Sequence, residues 1–174
     1  SILIDHERST ETLLEKVLDH LIAWKTCDPI DPSTYLGSLV DEEHFKKVCS
    51  YLKHDNILVG GTTEKPNYVL PTIIDQVDPN SKIAQEEIFG PVLSVITVKS
   101  FDEAIAVANN TRYGVASSVF TSNGKKEIRA ARASKAGTVT VNCYGEGDMS
   151  TPFGGYKQSG FAGRDNSIHA HDQY

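Results

Sequence analysis

The sequence predicts an α/β fold: an open, mainly parallel sheet with helices on both faces. Two observations carry that expectation. Between residues 92 and 142, short β-branched runs alternate with amphipathic segments, a βαβαβ pattern whose strands lie parallel and are joined by right-handed crossovers. After Asn142 the composition turns to Gly, Ser, Asp and Tyr, so residues 144–164 read as a long structured loop. Glycine-rich loops at the carboxyl ends of parallel strands are where such sheets place ligands.

The elements follow in order. Residues 2–4 (Ile-Leu-Ile) form a strand, and Ser9 or Thr10 caps the helix behind it. In that helix Leu13, Leu14, Val17, Leu18, Leu21 and Ile22 share one buried face. Asp28-Pro-Ile-Asp-Pro-Ser33 is a loop, because each proline pushes its predecessor out of the helical region. Asp41 caps a second helix with Phe45, Val48, Cys49 and Leu52 on one side. Residues 57–59 read as a strand ending at Gly60-Gly61, and residues 68–77 as an extended segment broken at Pro71. Residues 92–98 are a strand; Ser100 and Glu103 then form a capping box for a helix through Ile105 and Ala108. Tyr113-Gly114 ends it, and residues 115–120 are the next strand. Residues 122–134 form a helix with an apolar side at Ile128 and Ala131 and a basic side at Lys125, Arg129 and Arg132. Lys135-Ala-Gly137 closes that helix before a last strand at residues 138–142.

With 174 residues and 39% apolar content the chain has a one-domain length and enough apolar material for a core. A net charge of −6 with scattered Lys and Arg argues against nucleic-acid binding, which needs a clustered basic face. No apolar run approaches a membrane span, and the first residues lack the basic-then-apolar profile of a signal peptide. Cys27, Cys49 and Cys143 are odd in number and lack CxxC spacing, so neither a disulfide framework nor a zinc site is expected, and a reducing cytoplasm is the expected compartment. The six histidines lie without metal-ligand company, and no metal is expected. Both ends look abrupt: Ser1 opens directly on an apolar run, and Tyr174 follows no helix stop. A piece of a longer polypeptide is the expectation.

Three stretches hold candidate functional residues. Gln85-Glu-Glu-Ile-Phe-Gly-Pro91 sets two carboxylates and an aromatic ahead of a turn at a sheet edge. Such a loop can present a carboxylate to a sugar hydroxyl and a ring face to a flat ring; residue chemistry alone equally allows Glu86 and Glu87 a capping role at a helix end. In Val141-Asn-Cys-Tyr144, a nucleophilic Cys143 would need a nearby base or cation, and no His is close in sequence. Lining a pocket at the strand end is the better reading. In Pro152-Phe-Gly-Gly-Tyr-Lys-Gln-Ser-Gly160, a phosphate loop is rejected, because Tyr156 precedes Lys157 and Gln158 follows it. By residue chemistry alone Phe153 reads as ordinary core packing.

Residues 85–91 and 152–160 together resemble the aldehyde dehydrogenase superfamily. Asn109-Asn-Thr-Arg-Tyr-Gly114, Ala136-Gly-Thr-Val-Thr-Val-Asn142 and the stretch from Leu36-Gly37 to Asp41 extend the resemblance along essentially the whole chain. Gly147-Asp-Met149, residues 152–160, Arg164-Asp165 and residues 167–170 look most like the γ-glutamyl-γ-aminobutyraldehyde dehydrogenase group of putrescine breakdown. The resemblance implies an NAD(P)-dependent enzyme in which a cysteine thiolate adds to an aldehyde. The thiohemiacetal then gives a hydride to the nicotinamide, and a glutamate-activated water releases the acid. It implies that Glu87 lies against the nicotinamide ribose and Phe89 near the nicotinamide ring. It implies, too, that Phe153 lines the aldehyde pocket, with Cys143, Gly145 and Gly147 as further tunnel wall. Glu146 and Asp148 on that loop suit an aldehyde with a cationic amino group, or are solvated turn residues. Family members usually carry Ser-Gly-x-Gly-Arg before an acid; Ser159-Gly-Phe-Ala-Gly-Arg-Asp165 has one residue more, so no role carries over to Asp165.

The resemblance also implies what this chain lacks. The nucleophilic Cys and the general-base Glu would lie upstream of Ser1, the nucleotide-binding domain further upstream, and the family's last strand after Tyr174. Residues 1–174 are therefore expected to be an aldehyde-binding catalytic domain truncated at both ends. Such a chain has no catalytic residue of its own, no activity in isolation and at best weak cofactor binding. A homo-oligomer is implied for the full-length protein. The alternatives are a free-standing binding or assembly module on the same fold, or a regulatory domain taking a small amine or acid at residues 145–160.

Overall fold

The computed structural model describes residues 2–7, 9–53, 56–62, 65–145, 147–161 and 165–173. The chain forms two compact units, residues 1–100 and 101–174. The first contains β1 (Ile2–His6), α1 (Thr10–Ile22), α2 (Glu42–Tyr51), β2 (Ile57–Val59), β3 (Thr72–Ile74), α3 (Lys82–Gln85) and β4 (Val92–Val98). Its sheet has the order β1-β4-β3-β2, with β4 parallel to both β1 and β3 and β2 antiparallel to β3. Central β4 buries Val92, Ser94, Val95, Ile96 and Val98, the near-continuous burial of an inner parallel strand. Leu14 of α1 joins Ile73 and Val95 in the core, and Val17, Leu18 and Leu21 pack against them. The expected face is observed except at Ile22, which the last turn leaves exposed.

The two helix starts in this unit differ in chemistry. Ser9 stands at the N-cap of α1 with αR backbone angles, and its side chain makes no capping bond. Its hydroxyl and that of Thr10 instead donate to the His6 carbonyl, at 3.1 and 3.0 Å. Asp41 is extended, and its carboxylate accepts the His44 N–H at 2.7 Å, the capping bond expected there. On α2, Val48 and Leu52 are buried as expected, and so is Tyr51, which the periodicity did not single out. Burial pushes the Cys49 thiol up, away from reactivity. In the 28–33 loop Asp31 accepts an ion pair from Lys25 at 2.8 Å. That bond, with those from Ser33, holds its carboxyl well below the usual range.

The second unit contains α4 (Phe101–Asn109), β5 (Ala116–Val119), α5 (Gly124–Ala133), β6 (Thr138–Val141) and 3-10 helices at Lys157–Ser159 and Ile168–Gln173. β5 and β6 pair in parallel, from Ala116↔Thr138 to Val119↔Val141. The predicted parallel strands are present, but the βαβαβ run does not make one sheet. β4 has β1 on one edge and β3 on the other, so it has no free edge for β5. α5 starts at Gly124, two residues later than Ser122, because the Asn123 side chain takes the cap and accepts from Lys125 N and Lys126 N at 3.1 Å each. The apolar side expected for α5 is corrected as well. Ala130 is the buried residue, 1% exposed, whereas Ile128 is 59% exposed. The two differ by about 200° around a helix, and the small alanine is the side chain that permits close packing. Ile128 instead lines a shallow surface concavity with Lys125, Arg129, Arg132 and Ala133. Asn109 ties the ends of α4 and α5 together: its Oδ1 accepts from Lys135 N and its Nδ2 donates to Ala133 O, both at 2.8 Å.

Candidate functional site

The 86–90 loop is shaped by the elements on either side of it. Beyond α3, Glu86 is extended, and Gly90-Pro91 turns the chain into β4, where Thr72 N donates to Pro91 O at 2.9 Å. Between these points the side chains alternate. Glu86 turns in: its Oε2 accepts the Tyr51 hydroxyl at 2.6 Å and lies 3.8 Å from Lys82 Nζ. Ile88 also turns in and is buried. Glu87 is exposed, and its carboxylate has no partner among the described residues. The Phe89 ring is 69% exposed. The structure thus separates two glutamates that residue chemistry left equivalent: Glu86 braces the loop, and Glu87 is available to a ligand.

Phe89 has a left-handed backbone, φ 62°, a conformation a bulky residue adopts only when its surroundings impose it. Those surroundings are α2. His44 Nε2 lies 2.8 Å from Phe89 O, and the two rings meet at 6.2 Å and 57°. Lys47 Nζ donates to Glu87 O at 3.3 Å. Gly90 lies flat on the helix, since a Cβ there would come within 2.9 Å of Val48 Cγ1. Sequence reasoning missed His44, Lys47 and Tyr51. Their signal was a spacing of 44, 47, 48 and 51, one helical face with polar groups around Val48. A partnerless carboxylate two residues from an exposed aromatic face fits the ribose and nicotinamide end of a dinucleotide.

The other four candidates lie in the second unit, on the chain that follows β6. Cys143 is half-buried, and its carbonyl accepts the Thr140 hydroxyl at 3.0 Å. All three cysteines are free thiols. Gly145 (φ 72°) and Gly147 are exposed, and a Cβ at either would meet nothing within 4 Å. Asp148 accepts the Ser150 N–H at 2.8 Å, which holds its carboxyl below the ordinary range. Phe153 is 45% exposed and is not a core residue. Its main chain pairs with Asp165 through two bonds of 2.6 and 2.7 Å. Glu146 and residues 162–164, like Ser1 and Tyr174, lie outside the described residues.

The 152–160 stretch is braced by main chain. A Cβ at Gly137 would overlap the Gly154 carbonyl, and one at Gly155 would overlap that of Ser159. Tyr156 N donates to Gly114 O at 2.8 Å, and Gly114 N donates to Ser159 Oγ at 3.0 Å. Lys157, rejected above as a phosphate ligand, donates through Nζ to Asn109 O and Thr111 O at 2.9 Å each. It closes the carboxyl end of α4, a favourable place for a cation. Burial, and then the charge of Lys135, lowers its pKa. His169 and His171 are exposed, and no cluster able to hold a metal occurs among the described residues.

Residues 1–174 in their entirety match the aldehyde dehydrogenase family. The chain belongs to the aldehyde dehydrogenase family. It is 50% identical over 179 residues to aminoacetaldehyde dehydrogenase of Pseudomonas aeruginosa, covering 100% of itself and 36% of that relative. The P. syringae AldA indole-3-acetaldehyde dehydrogenase, solved with NAD+ and IAA, superposes with a TM-score of 0.95 at 45% identity, covering 100% of this chain and 37% of the other. The γ-glutamyl-γ-aminobutyraldehyde dehydrogenase of Burkholderia cenocepacia gives 0.94 at 43% identity, with 100% and 37% covered. The chain therefore spans little more than a third of the length of these relatives. The family, the α/β fold and the likeness to amino-aldehyde dehydrogenases are as the sequence led one to expect.

Proposed function

We propose that these residues are the aldehyde-binding catalytic part of an NAD(P)-dependent dehydrogenase. It oxidises a small amino-aldehyde, of the γ-glutamyl-γ-aminobutyraldehyde or aminoacetaldehyde type, to the carboxylic acid. One observation carries the reading: the alternation along residues 86–90, which presents a free carboxylate and an open ring face from a single braced loop. Glu87 accepts hydrogen bonds from the ribose hydroxyls, and Phe89 covers the nicotinamide. The bound nicotinamide supplies the hydride acceptor. Phe153 walls the aldehyde pocket with Cys143, Gly145 and Gly147, where the bare glycine backbone leaves room for substrate.

The names of the relatives support an amino-aldehyde, and the ionised Asp148 on the same loop suits its ammonium group. The nucleophilic cysteine and the general base belong to the rest of the polypeptide, so the 174-residue chain alone is inactive. The full-length enzyme is a cytoplasmic homo-oligomer acting on small molecules, with neither nucleic acid nor membrane as partner. The test is NAD(P)H formation by the whole gene product with amino-aldehydes, beside its Glu87→Gln variant and the isolated chain. Turnover by the whole product, a raised NAD KM in the variant and none from the isolated chain are expected. A whole product inert with every aldehyde would overturn the reading in favour of a non-catalytic module. Turnover by the isolated chain would refute its inactivity.

A further inference from the structure

We infer that Glu127 is a positioning residue for the aldehyde side of the site: from α5 it holds Asn142, where the chain leaves β6 for Cys143, Gly145 and Gly147. The inference rests on the proposed roles of those three residues as pocket wall. β5 and β6 run parallel with Val119 opposite Val141, so their carboxyl ends lie side by side. Asn142 joins these ends. Its main-chain N–H donates to Val119 O at 2.8 Å, and its Oδ1 accepts the Thr121 N–H at 2.9 Å. Its Nδ2 donates to Thr121 O at 3.1 Å and to Glu127 Oε1 at 3.0 Å. The last of these bonds is the one that the crossover helix brings to the exit of β6.

A side-chain amide has one oxygen and two N–H donors to place. At Asn142 the oxygen meets a donor and the nitrogen meets two acceptors, so three bonds fix which way the amide points. Two of them end on Thr121, and the third ends on a carboxylate, the stronger kind of acceptor. The backbone they hold is left-handed, φ 55°, a region asparagine enters more readily than most residues. Cys143 is tied separately. Its carbonyl accepts the Thr140 hydroxyl, so at the 2.8 Å contact of Ser118 with Thr140 the proton comes from Ser118. Gly145 and Gly147 have no side chain with which to anchor the segment, and its direction is set at Asn142 and Cys143. Helix capping does not account for Glu127. Asn123 takes the cap of α5, and Glu127 stands one position beyond the place of a capping-box acid. The helix dipole favours an acid in this first turn, a contribution that depends on charge and not on the bond to Asn142.

Two variants of the whole gene product separate the bond from the charge. Glu127→Gln keeps an acceptor oxygen in the same place and loses the charge. Glu127→Ala loses both and keeps a good helix former at the position. Steady-state kinetics with NAD and an amino-aldehyde, and amide hydrogen exchange of the peptide spanning residues 139–145, are read for each. For Glu127→Ala, about a three-fold rise in the aldehyde KM and in the exchange rate of that peptide is expected, the effect of one net hydrogen bond, with the NAD KM unchanged. Glu127→Gln should stay near wild type in all three readings. Equal impairment of both variants overturns the inference, because the charge and not the bond would then matter. A Glu127→Ala protein whose NAD KM rises in step with its aldehyde KM overturns it as well. An active wild type with silent Glu127 variants removes this inference alone. A wild type inert with every aldehyde removes the proposed function and this inference with it.

Discussion

In the first unit, the 86–90 loop is held by side chains that reach its main chain from a single helix. In the second, the 152–160 stretch is held chiefly by main chain against main chain, with glycines at the closest approaches. Among the described residues, Lys157 brings a charged side chain to that brace. A side-chain grip can be loosened one residue at a time and leaves the fold in place. A main-chain contact tolerates no Cβ, and its failure moves everything built on it. The same family motif status in sequence thus covers two different physical devices.

The largest effect is expected where this contrast is sharpest. Gly137→Ala drives a Cβ into the Gly154 carbonyl, which cannot step aside, and should cost on the order of 3 kcal/mol in a urea titration. Lys157→Met comes next. It removes two charge-assisted bonds to carbonyls at the end of α4 and should cost about 2 kcal/mol, read as a lowered Tm. Gly90→Ala is the counterpart of Gly137→Ala in the first unit. Its Cβ meets the two Val48 methyl groups at 2.9 and 3.0 Å rather than main chain; Val48 is buried and stiff at χ1, so a loss of about 2 kcal/mol is expected, still below that of Gly137→Ala. A penalty as large as that of Gly137→Ala would mean that both loops are braced alike.

The smallest effect concerns a third kind of hold, the exposed Lys25–Asp31 pair. The Lys25 hydrogen bond, followed by those from Ser33, depresses the Asp31 pKa. A carboxyl depressed on folding adds stability above its unfolded value, about 3.9, and loses it as pH falls through the folded value. Denaturant midpoints should therefore decline below about pH 4, and Lys25→Met should flatten that decline. Added salt should shrink the difference, as it does for any exposed pair.

Much of this was readable in the residues. The apolar stripe of α1 and the buried run at residues 92–98 announced their elements, and Asp41 announced a helix start. The errors came where a distant residue decides. Ile128 outranks Ala130 in hydrophobicity, but close packing selected the smaller side chain. The βαβαβ pattern gives strand direction but not neighbours, and β3, far upstream in sequence, occupies the edge that β5 would need. At the candidate site, the family resemblance singled out Glu87 and Phe89, whereas residue chemistry alone did not tell Glu86 from Glu87. That distinction depends on Tyr51, thirty-five positions earlier. His44 went unnoticed, and the bracing role of Lys157 went unread, because their partners are carbonyl oxygens, which every residue carries.

The gripping of carbonyls at residues 87 and 89 has a consequence for substitution. Because His44 and Lys47 hold atoms common to all amino acids, they hold the loop whatever side chains stand at those two positions. The loop's outline is encoded on α2, apart from the side chains that the loop displays. A substitution at residue 87 therefore changes what the loop displays while leaving its outline unaltered.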